Sequence, residues 1–167
     1  AYRIYLYTGS TPSAAVTYDN DLVPAGSLVS CGAQVRIATV SYASNGIQNG
    51  PNDGIALVNG AGQVVQFISY EGVIKASNGP AAGRTSVNLP VSESGSDAAG
   101  RSLRLTGSGT TYANFSWQPA ATASFGSCNA GQTFAAPNPP PVVTSTTPVA
   151  GATDFPAAGN LAVGFSE

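Results

Sequence analysis

Glycine and proline interrupt this chain so often that few segments are long enough to form an ordinary helix. The chain has 167 residues, of which 20 are glycine and 12 are proline, and its longest stretch free of both covers residues 33–45. That stretch carries four residues that suit a strand, namely Val35, Ile37, Thr39 and Val40. Because glycine and proline both disfavour the interior of a helix, the pattern predicts an all-β protein.

Short apolar or alternating segments separated by turn signals predict the individual strands. We expect strands at residues 2–7, 14–18, 34–42, 55–58, 64–70, 102–106 and 112–117. Asn59-Gly60 lies between two of these runs and is typical of a hairpin turn. Short strands with frequent turn signals predict a β-sandwich.

The charge content excludes several classes of function. Six basic and eight acidic residues give a net charge of −2, whereas binding to nucleic-acid phosphates needs many lysines and arginines. The sequence contains no histidine, so it lacks the usual general base and the group that activates a serine nucleophile. No apolar run approaches the roughly 18 residues of a membrane helix. We therefore expect no catalytic residue, no cofactor, no metal site, no membrane span and no nucleic-acid binding through this chain.

The two cysteines, Cys31 and Cys128, predict where the protein resides. They lie 97 positions apart in a chain without histidine, and two thiolates alone do not complete a zinc site. The favoured interpretation is a single disulfide, and the alternative is two independent buried thiols. A disulfide persists in an oxidising compartment, so we expect a secreted or cell-surface protein whose signal peptide has been removed or lies upstream.

The composition changes near residue 135. Residues 135–141 contain Pro137, Pro139, Pro140 and Pro141, which predict a stiff and extended linker because each proline restricts its own φ. Residues 142–147 and 161–165 then look like strands. Both ends of the given sequence fall at strand-like segments, so we expect either cuts within a longer polypeptide or strands that complete another chain.

Five segments occur in an order that resembles the bacterial branch of the lamin-tail domain over residues 1–134. They are Asp53-Gly-Ile-Ala-Leu-Val58, Val64-Val-Gln-Phe-Ile-Ser-Tyr-Glu-Gly72, Ser102-Leu-Arg-Leu-Thr-Gly107, Phe115-Ser-Trp-Gln118 and Ser124-Phe-Gly-Ser-Cys-Asn-Ala-Gly-Gln-Thr-Phe134. The resemblance implies an immunoglobulin-like β-sandwich that serves as an accessory module of a secreted multidomain protein, often beside an endonuclease/exonuclease/phosphatase-type nuclease. Residues 139–167 are similar to the opening of a bacterial Ig-like repeat.

The resemblance implies structural roles for a set of motif residues. They are Asp53, Gly54, Tyr70, Glu71, Gly72, Trp117, Phe125, Gly126, Asn129, Gln132 and Phe134. The family usually begins with two further strands that this sequence lacks. We therefore expect that the fragment has lost its first strands or that another chain supplies them.

The carboxylates of the core motif have structural and catalytic interpretations. Asp53 precedes a glycine, and we expect it to form an Asx-type turn. We expect Glu71 to hydrogen-bond or to form an ion pair with Arg101 or Arg104. For both, the alternative is a catalytic or metal role. The run from Asp19 to Asp21 offers oxygen ligands for Ca²⁺, but a plain turn is the favoured interpretation.

The aromatic residues are expected to form the interior of the sandwich. We predict that Trp117, Phe115, Phe125 and Phe134 pack between the sheets. The tyrosines of the early strands have an alternative role, as an exposed strip that contacts a partner. They are Tyr2, Tyr5, Tyr7, Tyr18 and Tyr42.

These observations predict a non-catalytic extracellular module for adhesion, spacing or assembly, which acts through protein contacts or a cell-surface or matrix ligand. A second hypothesis is an accessory domain of a secreted nuclease. A third is a filament subunit in which the C-terminal strands insert head-to-tail into the next copy.

Overall fold

The computed structural model describes residues 1–93, 96–136, 140–154 and 159–166. The chain divides into two units, residues 1–136 and residues 137–167. Across the described residues the regular structure consists of strands and one 3₁₀ turn, which confirms the predicted all-β class. The strands of the first unit form more than one sheet, as a β-sandwich requires.

Twelve strands are present in the described residues. They are β1 (Arg3–Thr8), β2 (Val16–Leu22), β3 (Ser27–Cys31), β4 (Ala33–Ile37), β5 (Asp53–Val58), β6 (Val64–Tyr70), β7 (Val87–Asn88), β8 (Arg101–Gly109), β9 (Phe115–Thr122), β10 (Gln132–Phe134), β11 (Val143–Thr147) and β12 (Ala162–Phe165). The 3₁₀ turn covers Tyr112–Asn114, directly before β9.

The first unit contains a five-stranded sheet in the order β2-β1-β5-β6-β7. Its pairs are antiparallel except for β6 and β7, which run parallel. A second sheet has the order β10-β8-β9, and a β3–β4 ribbon is joined to β10 by a bridge between Gly32 and Phe134. In the second unit, β11 and β12 form an antiparallel pair.

The best-packed core lies between the five-stranded sheet and the segment that follows β6. Tyr7 and Phe67 pack their rings with centroids 5.2 Å apart, and Ile74 and Ala81 of the following segment close over them. The buried cluster consists of Tyr7, Ala15, Ala56, Val58, Phe67, Ile74, Ala76 and Ala81. Burial of these side chains removes apolar surface from water and so stabilises the fold.

Several predicted boundaries were wrong. The strand expected at residues 34–42 ends at Ile37. Its partner strand β3 begins at Ser27, which lies opposite Ile37, so residues beyond Ile37 have no partner in β3. The strand expected at residues 112–117 begins only at Phe115 and continues to Thr122. The strand expected at residues 14–18 runs from Val16 to Leu22 and includes Asp19-Asn20-Asp21. The turn predicted there does not form because β1 pairs with this segment, and an edge strand leaves polar side chains in water.

The predicted hairpin after β5 is present, but its geometry differs from a two-residue turn. The loop covers residues 59–63, and the Asn59 side-chain oxygen accepts hydrogen bonds from the N–H groups of Ala61 and Gln63 at 3.0 and 2.9 Å. Gly62 rather than Gly60 adopts a left-handed φ, of 78°. The asparagine therefore stabilises the turn through its side chain.

Candidate functional site

The predicted disulfide between Cys31 and Cys128 is present, with the two Cα atoms 5.9 Å apart. Cys31 ends β3, and Cys128 lies in the loop before β10. The bond joins residues 97 positions apart in the sequence. It therefore links the β3–β4 ribbon covalently to the segment that closes the second sheet. The alternative of two independent thiols is excluded.

The two motif carboxylates occupy different environments. Asp53 is only 5% exposed and is the first residue of β5, where it pairs with Tyr70 instead of forming a turn. Glu71 directly follows β6 and is exposed, with a left-handed φ of 63° that is uncommon for a residue with a side chain. Within the described residues, no group of three or more Cys, Asp and Glu side chains could hold a metal ion.

The arginines expected to pair with Glu71 have other partners. Arg101 lies 3.9 Å from the Asp97 carboxylate, and it donates to the backbone oxygen of Ala120. Arg104 donates a 3.0 Å hydrogen bond to the backbone oxygen of Ala130. The expected ion pair is therefore wrong, since each arginine holds its own strand to a neighbouring segment.

Motif residues near the second cysteine hold the closing segment on β8. The Asn129 side chain accepts a hydrogen bond from Ser124 at 2.6 Å and donates one to the backbone oxygen of Leu105 at 3.0 Å. The Gln132 side-chain oxygen accepts from the Asn129 N–H at 3.3 Å. Asn129 therefore connects the closing segment to β8, and Gln132 holds the backbone of Asn129.

The aromatic residues do not form one cluster between the sheets. Phe115 and Phe134 do pack, with ring centroids 4.9 Å apart, and Trp117 is half-buried. Phe125 is 78% exposed, so the prediction that it packs inside is wrong. The reason is local: the Ser127 N–H donates to the Ser124 backbone oxygen, and the resulting turn places Phe125 and Gly126 at its tip.

Two tyrosines hold the long loop between β4 and β5. The Tyr18 hydroxyl accepts a 2.9 Å hydrogen bond from the Gln48 N–H, and the Tyr70 hydroxyl donates a 2.6 Å bond to the Gln48 backbone oxygen. Sequence patterns did not predict this contact, because Gln48 lies 30 positions from Tyr18 and 22 from Tyr70. The early tyrosines form no uniform exposed strip, since Tyr2 is half-exposed and Tyr7 is fully buried.

The outer backbone edge of β6 is open along part of its length. Strand β7 pairs with β6 only at Ile68 and Ser69. Within the described part of the chain, residues 64–67 have a partner strand only on the β5 side. A groove of about 590 Å³ runs beside them and is lined by Val65, Val87 and Tyr112 among other residues. We call this feature the β6 edge groove.

The second unit presents an apolar strand that its described residues leave uncovered. Leu161, Val163 and Phe165 alternate along β12 and its approach, and they are 78%, 54% and 60% exposed. Residues two apart share one face of a strand, so these three side chains form one stripe. A two-stranded hairpin is marginally stable at best on its own, and this stripe is the surface through which it could gain stability.

Comparisons with known proteins add no relative: no family model, no curated protein and no solved structure matches this chain. In the part of the chain that the structure describes, no helix has the length and hydropathy needed to cross a bilayer.

Proposed function

We propose that this chain is a non-catalytic module of a secreted protein and that it joins proteins by β-strand addition. The observation that carries the proposal is the β6 edge groove. In strand addition, backbone hydrogen bonds to an unpaired edge supply affinity, and alternate side chains enter neighbouring pockets. The Cys31–Cys128 disulfide is compatible with the extracellular location that the proposal assumes.

Two other edge strands of these sheets, β2 and β9, carry features that oppose strand addition. The edge strand β2 contains Asp19 and Asp21, and the edge strand β9 contains Pro119. Charged side chains and proline are common means of protecting an edge strand. Residues 64–67 of β6 contain no charged residue and no proline, and Val65 within them is 56% exposed. The β6 edge groove is therefore a favourable acceptor.

The donor that we propose is the apolar stripe of β12 from a second copy. Leu161, Val163 and Phe165 have the alternation that a donated strand needs. Acceptor and donor are different surfaces, so the contact is heterologous. Repetition of a heterologous contact gives a filament unless the rotation happens to close a ring.

The absence of catalysis in this proposal rests on residue chemistry. The sequence has no histidine to activate a serine, and its motif carboxylates are one buried aspartate and one exposed glutamate. We expect the purified chain to hydrolyse no DNA, peptide or glycan. Turnover that is lost in Asp53→Ala or Glu71→Ala would contradict this part of the proposal.

Paired lysine substitutions test the assembly mechanism. Val65→Lys places a charge in the acceptor, and Val163→Lys places one in the donor. Val73→Lys is the matched control for the first, because Val73 is 50% exposed, is not among the groove-lining residues and follows the same strand. Val149→Lys is the control for the second, because it is exposed in the same unit but lies outside the stripe.

Sedimentation velocity of the full chain over a concentration series measures the outcome. We expect the wild-type chain and both controls to form larger species as concentration rises, and each test variant to need at least about tenfold more protein because burial of a lysine charge is unfavourable. A mixture of Val65→Lys and Val163→Lys should form pairs and nothing longer, since each variant retains one intact surface. A monomeric wild type, or equal assembly by test and control variants, would refute strand addition.

A further inference from the structure

A second cavity lies between the two sheets of the first unit, and it shares one described lining residue, Ile68, with the β6 edge groove. Its volume is about 310 Å³, at the lower end of the roughly 300–1,000 Å³ typical of small-molecule sites. Ile55 and Ile68 of the five-stranded sheet and Leu103 of the second sheet give it apolar walls. Tyr70 of the five-stranded sheet and Trp117 of the second sheet also line this space. We call this the inter-sheet cavity.

Both aromatic residues use their polar atoms elsewhere. The Trp117 indole N–H donates a 2.8 Å hydrogen bond to the Tyr112 hydroxyl. The Tyr70 hydroxyl donates its 2.6 Å bond to the Gln48 backbone oxygen. These bonds hold the two rings in place, so what they offer a ligand is ring surface and not a free donor. Aromatic ring faces attract cations.

The charged residues that line the inter-sheet cavity are acidic. Glu71 and Glu93 contribute to the lining, and among the described residues no lysine or arginine does. The left-handed backbone of Glu71 is a conformation that costs free energy in residues with a side chain. Burial raises the pKa of Tyr70, and the negative charges of Asp53, Glu71 and Glu93 raise it further. Acidic side chains, and no basic ones, are therefore among the causes that raise the pKa of Tyr70.

We propose that the inter-sheet cavity binds a small organic cation of the quaternary-ammonium class. Apolar walls accommodate the alkyl groups of such a ligand, and the two anchored rings attract its diffuse positive charge. Two carboxylates balance that charge, with no lysine or arginine among the described lining residues. A neutral sugar would use the Gln48 and Asn49 amides instead, but it would leave the carboxylates uncompensated.

The natural probe of this site is Trp117, because it is the only tryptophan in the sequence. The experiment titrates the full chain with choline chloride and follows the intrinsic fluorescence of Trp117. A parallel titration uses 3,3-dimethyl-1-butanol, which has the same shape as choline but carries no charge. Sodium chloride at matched ionic strength controls for screening, and glucose tests the neutral-sugar alternative.

We expect choline to change the Trp117 fluorescence saturably, and the uncharged analogue to bind at least about tenfold more weakly. Glu71→Gln and Glu93→Gln keep the size of the side chain and remove its charge, and each should weaken choline binding about tenfold or more. Asp154→Asn, an exposed acidic residue of the second unit, is the matched control and should leave binding unchanged. Isothermal titration calorimetry on each folded variant checks the fluorescence result.

Four results would overturn the proposal. The first is no saturable response to choline in the wild-type chain. The second is equal affinity for choline and its uncharged analogue, which would show that the cavity selects shape without charge. The third is a response to glucose in the absence of one to choline. The fourth is an unchanged choline affinity in both glutamine variants.

Discussion

The hydroxyl of Tyr7 in β1 accepts a 3.1 Å hydrogen bond from the backbone N–H of Ala81, which lies 74 positions further along the chain. Neither residue is exposed to solvent. The same hydroxyl lies 3.3 Å from the backbone oxygen of Asn78, to which it donates. One phenol therefore connects the central sheet to the segment that covers its core.

Removal of this hydroxyl should destabilise the protein. In Tyr7→Phe the Ala81 N–H remains buried without its acceptor, and an unsatisfied buried group costs about 1–3 kcal/mol. Urea unfolding with the disulfide intact measures the change. Tyr2→Phe is the control, because Tyr2 is 50% exposed and a surface change of this kind stays within about 0.5 kcal/mol. Equal losses in the two variants would contradict the role assigned to the Tyr7 hydroxyl.

Alkaline pH should lower the stability of the fold through its buried tyrosines. Burial raises the pKa of Tyr7 and of Tyr70 above the ordinary value near 10. Above that pH the unfolded chain loses these protons while the folded chain keeps them, so the free energy of unfolding falls as pH rises. Below about pH 10 the protonated tyrosines make their full contribution to the free energy of unfolding. Above that pH each tyrosine lowers the free energy of unfolding by at most about 1.4 kcal/mol per pH unit.

Urea unfolding at a series of pH values, with tyrosinate absorbance recorded in parallel, measures this dependence. Tyr70→Phe should flatten the alkaline slope because one of the linked protons is absent. The variant also loses the bond to Gln48, which lowers stability at every pH and leaves the slope as the diagnostic quantity. A wild-type stability that does not change up to about pH 11 would disprove the linkage.

Loss of the Cys31–Cys128 bond should be costly. The entropy model gives about 4.7 kcal/mol for a closed loop of about 100 residues, and removal of a native disulfide typically costs 2–5 kcal/mol. We expect the Cys31→Ser/Cys128→Ser double variant to unfold at correspondingly lower urea concentration. Alkylation followed by mass spectrometry, with and without reductant, verifies the bond in the wild type. Two alkylated thiols in unreduced, unfolded wild-type protein would rule the bond out.

Gly54 should not tolerate a side chain. An added Cβ would lie 2.7 Å from the backbone oxygen of Ile68 and 2.7 Å from the Ile74 side chain. Since both neighbours belong to packed parts of the first unit, we expect Gly54→Ala to cost about 1–3 kcal/mol through overpacking. Thermal and urea unfolding measure the loss. A stability equal to that of the wild type would mean that β6 can shift without cost.

Local sequence patterns identified most strands, but they did not predict how the strands pair and pack. The apolar run at residues 64–70 was sufficient to predict β6, whose bounds match the prediction. The same run could not show that residues 64–67 remain without an outer partner strand, because that depends on how far β7 extends. The placement of Phe125 failed for a similar reason, since hydrophobicity predicts burial while a turn of the backbone decides it.

The sequence by itself determined the all-β class and the hairpin after Val58, because strand propensity and turn chemistry are local. Two cysteines allow one intramolecular pairing, but that the two are joined was decided by the structure. The tertiary structure alone decided the candidate sites. The β6 edge groove and the inter-sheet cavity each join residues that are far apart in the chain, such as Val65 with Tyr112 and Tyr70 with Trp117. A period of two residues shows which side chains share a face of a strand, but the packing of distant segments determines which face is covered and which edge stays open.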